Sequence, residues 1–111
     1  MWIFTTIGFF SVVQKRGNSF LTVRARVASD LDRLREKYMP ELSRTIKGQG
    51  SDYPCRATIS HEDFAKGMVK IVKAIQYDNF KTEVETKMGS KREAIYHEVW
   101  SSLLKLEKER E

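Results

Sequence analysis

The octapeptide FLTVRARV, residues 20–27, constrains this chain more than any other stretch. In a β-strand successive side chains point to opposite faces. Leu21, Val23, Ala25 and Val27 then share an apolar face, and Phe20, Thr22, Arg24 and Arg26 share the other. Such a strand belongs to an antiparallel sheet with one face on a core. Two arginines stand side by side on its polar face, and what they hold is the functional question.

The stretches before it are of the same kind. WIFTT and FFSVVQ are aromatic and β-branched, and Gly8 interrupts them, so they read as one long bent strand or a tight hairpin. Gly17-Asn18 then marks a turn into FLTVRARV, giving strand–turn–strand. Ser29 followed by Asp32 predicts a capped helix with Ala28, Leu31, Leu34 and Tyr38 inward, stopped near Pro40. Residues 41–53 are polar and glycine-containing, which predicts a loop. PCRATIS is the next strand, with Cys55, Ala57 and Ile59 on one face and Arg56 and Thr58 on the other. In register with the earlier strand, it would put Arg24, Arg26 and Arg56 on one surface.

Helical spacing follows. Ser60 and Asp63 open a helix carrying Phe64, Met68, Ile71 and Ile75. Asp78 or Asn79 caps a third with Phe80, Val84 and Met88, which Gly89 ends. Ser90 with Glu93 caps a last helix from 91 to about 108. That helix bears Ile95, Tyr96, Val99, Trp100, Leu103, Leu104 and Leu106, more apolar surface than one ~100° core stripe requires. The surplus predicts a homo-oligomer, a dimer or higher. The order of elements predicts an α+β fold in one domain, 1–111: an N-terminal antiparallel β-sheet packed by helices, with a C-terminal helix used for oligomerisation.

Charge and cysteine count narrow the partners. The formal net charge is +5, and Met1 to Ser29 contains no acid against Lys15, Arg16, Arg24 and Arg26. An acid-free basic N-terminal segment suits an anionic partner or ordinary solubility. One cysteine, Cys55, allows no intrachain disulfide, which fits a reducing, cytoplasmic compartment. The apolar start lacks a basic n-region and is too short to span a bilayer, so no membrane partner is expected.

Side chains for catalysis do not converge in this sequence. His61 lies beside Glu62 and Asp63, and His97 beside Glu98, but sequence neighbours do not face each other on a helix. One cysteine and two distant histidines give no zinc spacing, and KGQGSD lacks the ending of a phosphate-binding loop. Neither catalysis nor a cofactor or metal is expected. What remains is arginine, whose fork of donors matches phosphate, and aromatic rings on which a base can stack. Phe9, Phe10, Tyr53, Tyr77, Phe80, Tyr96 and Trp100 are stacking candidates. Arg24, Arg26, Arg56, Lys91 and Arg92 are phosphate candidates, and Asn79 can read a base edge. Lys91 and Arg92 also open a helix, a site that favours an anion over a cation. Many of these residues serve equally well as core, interface or cross-sheet partners.

WIFTTIGFFSVVQK, LTVRARV, DYPCRA and YDNFK together resemble the phage anti-Thoeris sponges. The resemblance implies a protein without catalytic activity that binds a cyclic ADP-ribose isomer made by an immune enzyme and withholds it from its effector. It further implies a homo-oligomer in the host cytoplasm, with cyclic oligonucleotides at a second site in some members. Carried over by similarity, Arg56, Asn79, Phe80 and Arg92 belong to the first site and Arg24 to the second. A competing expectation is a macromolecular binder, either an inhibitor of a nucleic-acid-binding nuclease or an RNA- or DNA-contacting module. It would show a broad basic stripe and salt-sensitive binding, which the many acids after Ser29 disfavour.

Overall fold

Gly8 resolves the first ambiguity in favour of a hairpin. In the computed structural model, which describes residues 1–50 and 52–109, strand β1 (Trp2–Thr5) turns back through Thr6 and Ile7 into β2 (Gly8–Val13). The Thr5 hydroxyl oxygen accepts from the amides of Ile7 and Gly8 and closes the turn. A methyl group at Gly8 would sit 2.6 Å from the Asp30 carboxyl carbon, so only glycine fits there. Asp30 is buried on the first turn of helix α1 (Ala28–Lys37). It accepts the Phe9 amide at 3.0 Å and pairs with Arg33, whose Nε donates to the Ile7 carbonyl. One carboxylate thus fastens the hairpin turn to α1. The capping box expected from Ser29 and Asp32 does not form. Val27 is the cap residue and provides no side-chain bond, and Asp32 pairs with Arg35 instead.

Strands β3 (Leu21–Ala25) and β4 (Cys55–Ile59) complete a four-stranded antiparallel sheet in the order β1-β2-β3-β4. The alternation read from the sequence holds. Phe10, Val12, Val23, Ala25, Ala57 and Ile59 join one core with Leu31 and Leu34 of α1 and Phe64 of α2 (His61–Lys73). Phe10 is 2% exposed, so it is a core residue and leaves the set of stacking candidates. Cys55 is a buried core thiol. Two inward expectations fail at element ends: Val27 lies past β3 and Ile75 past α2, and both are exposed. Ser60 caps α2 by accepting the Asp63 amide. Gly67 on α2 is buried against Met39, whose side chain occupies the space that a larger residue would need.

The chain divides into two compact units, Met1–Gln76 and Tyr77–Glu111. The second holds α3 (Phe80–Met88) and α4 (Ser90–Leu103), followed by a 3-10 helix, Leu104–Lys108. Asn79 caps α3. The Ser90–Glu93 box is not used, because Gly89, at φ 97°, is both the last cap of α3 and the first of α4. Among the described residues no helix is long and apolar enough to cross a membrane.

Candidate functional site

The sheet register places the arginines. Trp2 pairs with Ser11, Ser11 with Arg24, and Arg24 with Arg56, so one row crosses all four strands. By the two-residue alternation, Phe4 and Phe9 lie on this same face, away from the core. Arg24 and Arg56 are therefore opposite each other on neighbouring strands, a like-charge pairing that is unfavourable unless something neutralises it.

Tyr53 gathers the three cations. The Arg24 guanidinium carbon lies 4.5 Å from the centre of its ring, and that of Arg26 lies 4.9 Å away. Arg56 donates from Nε to the Tyr53 carbonyl at 3.2 Å. Arg24 also donates to the Ser11 hydroxyl at 2.6 Å, while its buried Nε has no hydrogen-bond partner among the described residues. Among the described residues none of the three arginines has a carboxylate partner. A buried donor of a charged group without an acceptor costs free energy. The cluster is thus short of negative charge and of acceptors.

Tyr53 reaches this position because the segment before β4 is tied to the sheet edge. Ser43 donates its amide to the Thr58 carbonyl and accepts the Thr58 amide on its hydroxyl. Ile46 and Arg56 exchange backbone bonds of 2.8 and 2.9 Å. Arg35 of α1 donates to the Leu42 and Ser43 carbonyls and to Thr45. The stretch expected to be a loop therefore has a bridged middle, and Tyr53, though in a polar stretch, is buried.

Aromatic rings extend from the arginines along the face. Phe9 lies 6.5 Å from Tyr53, stacks on Phe4 at 4.6 Å and meets the edge of Trp2 at 5.8 Å. Trp2 is 66% exposed, a flat ring open to solvent. Guanidinium forks can hold a phosphate, and an open ring on the same sheet face can stack a planar group.

Of the expected site residues, Arg24, Arg26 and Arg56 come together here. In the second unit Phe80 and Arg92 both lie against Tyr96, and Asn79 precedes Phe80 as the cap of α3. Asn79 Oδ1 accepts the Thr82 amide at 2.9 Å, so its acceptor is engaged in capping α3. Phe80 stacks on Tyr96, with centroids 5.9 Å apart and planes 5° from parallel, and the Arg92 guanidinium carbon lies 5.9 Å from the Tyr96 ring centre. Tyr96 is buried and Lys91 exposed. His97 is exposed, with Nδ1 3.1 Å from Lys81 Nζ, and both contact Trp100. Among the described residues no group of three or more His, Cys, Asp or Glu is arranged to hold a metal. Trp2 and Ser11 are site residues that the sequence reading missed. Once Arg24 is assigned to a strand, the hairpin alternation is the signal that places Ser11 beside it. No protein-family model, curated protein or solved structure matches the chain.

Proposed function

We propose that the chain is a non-catalytic binding protein that takes up a phosphorylated nucleotide on the sheet face bearing Arg24, Arg26 and Arg56. The observation that carries this reading is the arginine cluster on Tyr53. Three guanidinium groups converge with no carboxylate partner among the described residues, two of them opposite each other in register. An anion relieves that arrangement, and phosphate oxygens fit the arginine fork in pairs. Trp2 and Phe9 supply the stacking surface for the base. The resemblance to anti-Thoeris sponges makes a cyclic ADP-ribose isomer the first ligand to try, and sequestering such an immune signal would counter anti-phage defence.

Native mass spectrometry of the protein purified from cells tests this. The expected result is a retained nucleotide that heat denaturation releases unchanged. Release of a converted product contradicts a non-catalytic role. Protein that purifies empty and stays empty with ADP-ribose and its cyclic isomers removes the nucleotide reading.

The exposure of Trp2 beside Phe9 supports a second reading, a single-stranded nucleic acid whose bases stack along the sheet. Oligonucleotide affinity that falls steeply with salt favours it over a small ligand.

A further inference from the structure

We propose that the end of α4 is a self-association surface, at which the chain pairs with a second copy of itself. Every residue from Trp100 to Glu109 is exposed, yet Trp100, Leu103, Leu104 and Leu106 fall within this short stretch. The pairing of α3 and α4 explains why no described residue of the second unit covers the three leucines. Phe80, the first residue of α3, lies against Tyr96, and Lys81 lies over Trp100. Residues after Trp100 therefore run past the first turn of α3. Ile95, Val99, Leu103 and Leu106 are spaced at helical intervals and form one stripe. Ile95, Leu103 and Leu106 are 57%, 54% and 59% exposed.

Size and charge both favour a second copy. Five large side chains left about half exposed present roughly 400 Å² of apolar surface, taking ~150–200 Å² for each. That equals the largest apolar patch of a typical monomer, roughly 300–600 Å², which is often a functional surface. Two such patches with their polar borders approach the ~1,000 Å² of a small specific interface. The charged positions of this stretch are Lys105, Glu107, Lys108 and Glu109, with no net charge, and Ser101 and Ser102 are neutral. Two copies can therefore meet about a two-fold axis without repulsion. A helix that lies on a lipid surface instead carries a cationic polar face.

Sedimentation velocity on the full chain tests the proposal, with a dimer expected at about 100 µM for an interface of this size. Leu103→Lys with Leu106→Lys should give monomers with an unchanged far-UV spectrum. If that pair fails to fold, Leu103→Ala with Leu106→Ala should raise the dimer dissociation constant at least about tenfold. A wild-type chain that is monomeric at about 100 µM overturns the proposal. So does a dimer whose dissociation constant the alanine pair leaves unchanged.

Discussion

Replacing Arg24 by alanine should weaken phosphate binding strongly and leave the unliganded protein almost as stable as before. On the binding side, one charge-assisted hydrogen bond contributes about 1.5–3 kcal/mol, so its loss lowers affinity roughly ten- to a hundredfold. On the stability side the losses and gains offset. The variant loses the bond to Ser11, worth about 1.5–3 kcal/mol because the donor is charged, and the contact with the Tyr53 ring, worth about 0.5–1 kcal/mol. It gains relief of the unpartnered Nε, about 1–3 kcal/mol, and of the opposition to Arg56, about 0.2–1 kcal/mol. The net change lies near zero, which for a chain of this length keeps Tm within about 4 °C. Calorimetric titration with the retained nucleotide and a thermal scan of the empty protein measure the two effects separately. Arg24→Lys should restore only part of the affinity, because it keeps the charge and loses the fork. Unchanged affinity with a large fall in Tm would refute the reasoning and make the arginine structural.

Tyr53→Leu should reduce ligand affinity by releasing the guanidinium groups that its ring supports, and Tyr53→Phe should retain it. Equal losses in the two variants, measured by titration, would assign the effect to the hydroxyl rather than the ring. Asp30→Ala should cost about 3 kcal/mol in chemical denaturation, the low end for a broken buried pair because Arg33 can turn to solvent. A change below about 1 kcal/mol would mean that the hairpin turn is held without it.

The strand faces and the meeting of Arg24 with Arg56 follow from period-two alternation once the hairpins are paired, so this half of the site is legible in the sequence. Tyr53 is not, because its position depends on Ser43, Ile46 and Arg35 tying a polar connection to β4, and no local periodicity encodes that. The helix starts show the same limit. Ser60 and Asn79 cap as their spacing suggests. Ser29 does not, because Asp30 is drawn into the hairpin turn and the helix begins two residues earlier, with Val27 at its cap. The surplus apolar surface of the last helix was also visible as composition. Its exposure beyond Trp100 depends on where α3 starts along α4, which Phe80 and Tyr96 fix by stacking.

Gly89 leaves the helical hairpin with no slack. Its amide donates to the Glu85 carbonyl and its carbonyl accepts the Glu93 amide, so one residue belongs to the bonding of both helices. At φ 97° and ψ 165° it occupies a region open essentially to glycine alone. Lengthening the chain there by a single residue would turn α4 by about 100° against α3. Phe80 would lose its face on Tyr96, and the leucine stripe would point elsewhere. The 41–53 connection meets no such constraint around Gly48 and Gly50, where added length costs little. Length variation among chains of this design should therefore collect in that loop and be absent from the joint, and the angle between the two helices is inherited as a unit.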